Sequence, residues 1–179
     1  MHFMTNHPKL VLSICGDSAV GKGELIDLLQ RDGVELRQKL GVEGNARYFA
    51  SRNATRDGGN TYEKRHLMFQ SPRPDTIVFR WQFKDHNLIA MLHEAFPESK
   101  HSVIVLWRDW AEHVKRFVRA GHAPTNARSL RRTWMGKLAK AFGPDSDLSR
   151  QKKISIQILR VNAGMYKEID WQFVERQPQ

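Results

Sequence analysis

Residues 10–32 read LVLSICGDSAVGKGELIDLLQRD, an apolar run, a glycine-containing loop and an amphipathic segment in that order. Gly16, Gly21 and Lys22 match G-x-x-x-x-G-K, the pattern of a loop whose backbone amides cradle phosphate groups. The apolar run is typical of a buried parallel strand, and leucines recur at helical spacing after the loop. Because helix-start amides and a lysine attract anions, the stretch predicts a nucleoside triphosphate site. The residues predicted to form it are Gly16, Asp17, Ser18, Ala19, Val20, Gly21, Lys22, Gly23 and Glu24.

The loop departs from the usual pattern directly after its lysine. A Ser or Thr normally follows, and its hydroxyl helps to hold Mg²⁺. Here Gly23 and Glu24 follow, so neither position carries a hydroxyl. Two interpretations stay open: water and an acidic residue elsewhere hold the metal, or the protein binds nucleotide without turning it over.

The composition predicts one compact domain over residues 1–179, with 40% hydrophobic residues and one cysteine. Cys15 lies in the apolar run, so we expect it in the core, and a single cysteine forms no disulfide within one chain. No apolar stretch is long enough to cross a bilayer, and residues 1–8 lack the layout of a signal peptide. We therefore expect a cytoplasmic protein, of a bacterium or a phage-infected host cell, with no membrane partner. The oligomeric state stays unknown.

The charge is strongly basic and unevenly spread. The chain has 29 Lys and Arg against 19 Asp and Glu, a net charge of +10. Residues 108–140 contain nine Lys or Arg and two acids, a net charge of +7. A cluster of this kind is a solvated helix face, a clamp for a small phosphorylated substrate, or a footprint for nucleic acid. Its size favours a polyanionic partner, with nucleic acid as the candidate acceptor.

Strand and helix patterns alternate along the chain. Strands are expected near residues 10–15, 47–50, 76–81, 102–107 and 154–161, which predicts an α/β fold with a parallel sheet covered on both faces. Helices are expected after the loop, over 34–40, 88–96 and 111–120, and on to about residue 142, with a terminal helix or coil. In the 111–120 helix the apolar arc comprises Ala111, Val114, Phe117 and Val118.

Three stretches resemble the guanylate kinase superfamily, and especially its ribose 1,5-bisphosphate phosphokinases. GDSAVGKGELI at 16–26 resembles the phosphate loop, and RYFASRNATRDGGN at 47–60 resembles the acceptor-binding segment. RFVRAG at 116–121, followed by SLRR at 129–132, resembles the helix-lid-helix whose arginines close over the transferred phosphate. The resemblance implies a three-layer P-loop NTPase fold with a small acceptor-binding insert, about 44–75, and a basic lid, about 116–132. It also implies ATP and Mg²⁺ as cofactors.

The resemblance and the residue chemistry together give the remaining candidates. Lys22 would hold the β- and γ-phosphates, and lid arginines would stabilise charge on the transferred group. Asp85 is preferred as metal ligand or base, with Asp57 next, and Asp17 is placed to orient metal-bound water. The strand-end Asp that helps to order magnesium in guanylate kinases has no match, since Arg80 or Trp81 stands near that place. The implied lid, acceptor and adenine residues are Arg116, Arg119, Arg131 and Arg132; Arg52 and Arg56; and Asn162.

Three functions follow as hypotheses. The first is an ATP-dependent kinase that phosphorylates a hydroxyl on a nucleotide within DNA or RNA, of the type of the bacteriophage kinases that act on hydroxymethylated bases. The second is a soluble sugar-phosphate or nucleoside monophosphate kinase. The third is a nucleotide-binding module without turnover, which the missing hydroxyl and strand-end Asp favour.

Overall fold

The computed structural model describes residues 7–31, 34–50, 74–82, 87–123, 132–133, 136, 139–140, 154–162 and 164–176. The described strands are β1 (Leu10–Gly16), β2 (Ala46–Ala50), β3 (Thr76–Gln82), β4 (Lys100–Trp107), β5 (Ile154–Asn162) and β6 (Met165–Ile169). The described helices of six residues or more are α1 (Lys22–Arg31), α2 (Val34–Leu40), α3 (Asn87–Ala95), α4 (Trp110–Arg119) and α5 (Trp171–Arg176).

The strands form one sheet in the order β2-β3-β1-β4-β5-β6. The first five are parallel, with β1 between β3 and β4. Every residue of β1 is buried, because a central parallel strand is covered on both faces. The predicted α/β class and parallel sheet are confirmed. The order changes direction at β1, so the carboxyl ends of β1 and β4 border the crevice where ligands bind in open parallel sheets.

Two hydrophobic clusters cover the two faces of the sheet. Leu12 and Ile14 of β1 pack with Leu25 and Leu29 of α1, whereas Val11 and Cys15 belong to the opposite cluster. The opposite cluster also contains residues of α3 and α5, which places helices on both faces. This alternation follows from the period of two along a strand. Cys15 is fully buried, as expected of a core residue.

The last strand was missed from the sequence. Only a helix or coil was expected after β5, but β6 pairs antiparallel with β5, and Asn162 stands opposite Met165. Gly164, with φ +79°, supplies the positive φ that a tight hairpin connection requires. β6 is largely exposed, so its hydrophobic pattern is too weak to predict a strand.

Two other expectations need correction or fall outside the described residues. Leu28, one of the leucines that recur at helical spacing after the loop, is 43% exposed, and Val118 of the predicted apolar arc in α4 is 49% exposed. Residues 46–50 of the predicted insert belong to the parallel sheet as β2, and most of the rest lies outside the described residues. Of the predicted helix to about residue 142, helical backbone is described at 132–133, 136 and 139–140.

Candidate phosphate-binding site

The loop between β1 and α1, residues 16–23, lies at the carboxyl edge of the sheet. A Cβ on Gly16 would lie 2.8 Å from Val20 Cγ1 and 3.1 Å from the Leu106 carbonyl oxygen, so only glycine fits there. Gly21 has φ +113°, and a Cβ there would meet the Arg108 guanidinium at 3.2 Å. The two glycines of the motif are therefore required by close packing and by backbone conformation.

Lys22 folds back over the first half of this loop. Its Nζ donates to the carbonyl oxygens of Gly16 at 2.8 Å and Asp17 at 2.6 Å. The side chain is 9% exposed, and the ammonium lies beside the backbone that begins the loop. Lys22 is therefore placed to exchange contacts with backbone oxygens for contacts with an anion in the loop.

The second half of the loop is fixed by side chains from the end of β4 and from α4. His113 Nε2 lies 2.8 Å from the Ser18 carbonyl oxygen, Arg116 Nε donates to that of Ala19 at 3.0 Å, and Arg108 Nε donates to that of Val20 at 3.2 Å. In a trans peptide the next N–H points opposite to the carbonyl. The amides of residues 19–21 are thus directed away from these three side chains, and the Val20 N–H donates to the Asp17 carbonyl oxygen at 3.4 Å. The Ala19 and Gly21 amides are the candidates to line an anion-binding concavity.

Ala19 carries the strain of this arrangement. It is the one described non-glycine residue with a positive φ, +60°. A left-handed backbone costs an alanine about 1–2 kcal/mol. The hydrogen bond from Arg116 to the Ala19 carbonyl helps to hold the loop in this conformation.

The site is rich in positive charge, and its described acids include Asp17 and Glu24. Arg108 is 3% exposed, and burial together with the nearby Arg116 charge lowers its pKa, although Glu24 opposes the shift. Arg116 also forms a short ion pair with Glu24. On the loop itself, Asp17 Oδ2 lies 3.8 Å from His113 Nδ1. Because the Arg116 charge disfavours the charged form of Arg108, an anion near these groups would be stabilising.

Tyr166 of β6 borders the same region. Burial and then the Glu24 charge raise its pKa, whereas the Arg108 and Arg116 charges lower it. Tyr166 also packs against the hydrophobic cluster beneath α1. β6 therefore places the phenol of Tyr166 beside the site, although the site predicted from the sequence did not include this residue.

Asn162, which the resemblance places near adenine, contacts Asp109. Its Nδ2 donates to Asp109 Oδ2 at 2.6 Å, and Arg160 makes two bonds to the same carboxylate, at 2.7 and 2.8 Å. Asn162 Oδ1 is buried with no hydrogen-bond partner within the part of the chain that the structure describes. Asp109 is the N-cap residue of α4, but it makes no side-chain cap bond, because its carboxylate is bound by side chains of β5.

The structure separates the other predicted lid and acceptor residues. The Arg116 side chain of α4 bonds to the Ala19 carbonyl of the loop, whereas Arg119 and Arg132 are exposed. Asp57, Asp85, Arg52, Arg56 and Arg131 lie outside the described residues. Sequence reasoning missed the roles of Arg108, His113 and Tyr166. Arg108 and Arg116 belong to the basic stretch 108–140. However, no pattern in a single sequence indicates that their guanidinium groups donate to backbone carbonyls of the loop.

The described residues around position 23 do not fit the Mg²⁺ site that such a loop usually carries. Gly23 offers no side-chain oxygen, and the Glu24 carboxylate is bound by Arg116. Within the described ranges, no group of three His, Cys, Asp or Glu side chains is arranged to hold a metal ion. Arg80 Nη1 lies 3.2 Å from the position of a Cβ on Gly23. A guanidinium has no acceptor atom and cannot ligate a metal.

Comparison with protein-family models and with curated proteins finds no match to this chain. The described helices include none that is both long enough and apolar enough to cross a membrane.

Proposed function

We propose that this chain binds a nucleoside triphosphate in the 16–23 loop and transfers its terminal phosphate to a hydroxyl of a second, anionic substrate. The observation that carries the proposal is the set of bonds to the Ser18, Ala19 and Val20 carbonyls. These bonds direct the Ala19 and Gly21 amides away from the three side chains, and the loop lies at the positive end of the α1 dipole.

The transfer step needs little covalent chemistry from the protein. The acceptor oxygen attacks the γ-phosphorus, the bond from that phosphorus to the bridging oxygen breaks, and the nucleoside diphosphate leaves with the electron pair. The acceptor proton passes to a base or to solvent. Lys22, Arg108 and Arg116 are among the described cations placed to stabilise the negative charge that the phosphates carry through this step.

ATP binding is tested with Lys22→Met, and exposed Lys39→Met on α2 serves as the matched control. Loss of a charged hydrogen-bond donor predicts affinity about 10- to 100-fold weaker for Lys22→Met and unchanged for Lys39→Met. Thermal unfolding of both variants shows whether the fold is kept. Equal affinity of Lys22→Met and the parent protein would refute the proposed site.

The acceptor is tested by the salt dependence of its binding. Arg108 and Arg116 of the basic window are engaged with the loop, whereas Lys115 and Arg119 are exposed on α4 one helical turn apart. The exposed pair supports an anionic acceptor, and a polymeric one predicts that affinity falls with salt at a log–log slope of about 0.9 per phosphate contact. Incubation of the protein with labelled ATP and a pool of modified DNA, nucleotides and sugar phosphates then shows which acceptor receives the phosphate.

Nucleotide binding without turnover is the second candidate. The observation that favours it is Gly23 beside Arg80, since this pair replaces the hydroxyl that usually helps to position a metal. ATP that binds tightly, but from which no phosphate reaches any acceptor in the pool, would support this second function over transfer.

A further inference from the structure

Position 23 and Arg80 form a pair that the loop motif does not predict. In loops of this pattern the residue after the lysine binds Mg²⁺ through its hydroxyl, at a metal–oxygen distance of about 2.1 Å. Such a metal stands about 3 Å from the Cβ of that residue. Arg80 Nη1 lies 3.2 Å from the position that a Cβ on Gly23 would take. A cation supplied by the protein therefore stands at the distance at which a metal would.

The fold explains how Arg80 reaches this place. Alternate residues of β3 face the same side of the sheet, and Val78 packs in the cluster that contains Leu25 and Leu29 of α1. Arg80 is two residues further along β3 and faces the same side. It pairs in register with Ile14, two residues before the end of β1. Its side chain thus extends along the face that α1 covers, toward the first turn of that helix.

The charge balance of the loop agrees with this placement. Lys22, Arg80, Arg108 and Arg116 are four cations at the loop, and the described acids there are Asp17, Glu24 and Glu112, the last of which acts on Arg108. A triphosphate without metal carries two more negative charges than its Mg²⁺ complex. The planar guanidinium fork matches two phosphate oxygens at once, which a point charge does not.

We propose that Arg80 replaces the divalent cation at this loop, and that the chain binds the triphosphate without Mg²⁺ through a guanidinium–phosphate contact. This inference rests on the proposed nucleotide site. It also relates the missing hydroxyl at position 23 to Arg80, since a Cβ there would lie 3.2 Å from Nη1 and the end of the Arg80 side chain would have to shift slightly.

The test measures the affinity of the full chain for ATP, first in EDTA and then in excess Mg²⁺. We expect binding in EDTA at least as tight as in Mg²⁺. Arg80→Gln is expected to weaken binding in EDTA about 10- to 100-fold. Arg31→Gln makes the same charge change at an exposed residue of α1, about 13 Å along the helix from Lys22, and should leave the affinity unchanged.

Two further variants keep the proposal open to refutation if Arg80→Gln folds poorly. Arg80→Lys keeps the charge without the fork and should bind more weakly than the parent protein. The double variant Gly23→Ser with Arg80→Asp restores a hydroxyl and an acid, and should bind ATP only when Mg²⁺ is present.

The outcomes separate this inference from the function on which it rests. If the parent protein binds ATP only in the presence of Mg²⁺, and Lys22→Met abolishes this binding, the role of Arg80 is overturned and the nucleotide site stays in place. If Arg80→Gln folds and its affinity for ATP in EDTA equals that of the parent protein, the role of Arg80 is overturned as well. No ATP binding in either buffer overturns both.

Discussion

Arg116→Ala and Arg119→Ala form a matched pair that tests how the loop is held. Both arginines lie in the last turn of α4 and were assigned to the same lid from the sequence. In the structure Arg116 bonds to the Ala19 carbonyl and to Glu24, whereas Arg119 is exposed. The substitutions remove the same side chain from the same helix, so differences in helix propensity largely cancel.

The expected loss of stability follows from the contacts of Arg116. A hydrogen bond from a charged donor contributes about 1.5–3 kcal/mol. The ion pair adds less than about 1 kcal/mol, because the Glu24 side chain is 57% exposed. We therefore expect Arg116→Ala to lower the free energy of unfolding by about 2 kcal/mol, which lowers Tm by about 4–8 °C in a chain of this size. Arg119→Ala should change it by less than about 0.5 kcal/mol.

Urea unfolding followed by circular dichroism, and thermal unfolding, measure both variants. Glu24→Gln separates the two contacts of Arg116, since it removes the ion pair and leaves the bond to Ala19. It should cost less than about 1 kcal/mol, and the difference should shrink as salt is raised. If Arg116→Ala and Arg119→Ala unfold within 0.5 kcal/mol of each other, the contact between α4 and the loop contributes nothing, and the reasoning fails.

Two predictions concern the buried side chains of His101 and Cys15. Burial lowers the pKa of His101, whose Nε2 lies 2.8 Å from the Phe96 carbonyl oxygen. The unfolded state therefore takes up the proton more readily, so stability falls as the pH drops below about 6.5, and the urea midpoint of His101→Gln should depend less on pH there. Burial also raises the pKa of the Cys15 thiol, so a thiol reagent at pH 8 should label Cys15 only as the protein unfolds in urea. Rapid labelling of the native protein would contradict its place in the core.

The parts of the fold that the sequence predicts are those with strong local patterns. β1 is a continuous apolar run, and the 34–40 helix and the strand near 76–81 were found within a residue of their structural bounds. β6 lacked such a signal because its residues are largely exposed. Hydrophobic periodicity in a sequence reflects burial of one face of an element against an apolar neighbour. It therefore predicts a strand or helix only where such a neighbour exists.

α4 shows why the site was predicted only in part. Its apolar arc was expected to face the protein, but Val118 is 49% exposed, and His113 is buried against the Ser18 carbonyl. The neighbour of this helix is a loop whose carbonyl oxygens need donors, so a histidine and an arginine face inward. A hydrophobic pattern does not represent such a surface, because the burial of polar groups depends on partners elsewhere in the chain.

The two departures from the loop motif meet in space. In the sequence, Gly23 lacks a hydroxyl, and Arg80 or Trp81 stands near the place where the guanylate kinases that the chain resembles have the strand-end Asp. Between Gly23 and Arg80 lie 56 residues. In the structure the Arg80 guanidinium lies within 3.2 Å of the space that a residue 23 side chain would fill. Each departure removes an oxygen ligand, and the second adds a cation. A side chain at position 23 would therefore require the Arg80 guanidinium to shift slightly, and loss of Arg80 would remove the cation beside Gly23. The coupling is measurable: Gly23→Ser and Arg80→Asp should each reduce ATP affinity alone, and their combined effect should be smaller than the product of the two when Mg²⁺ is present.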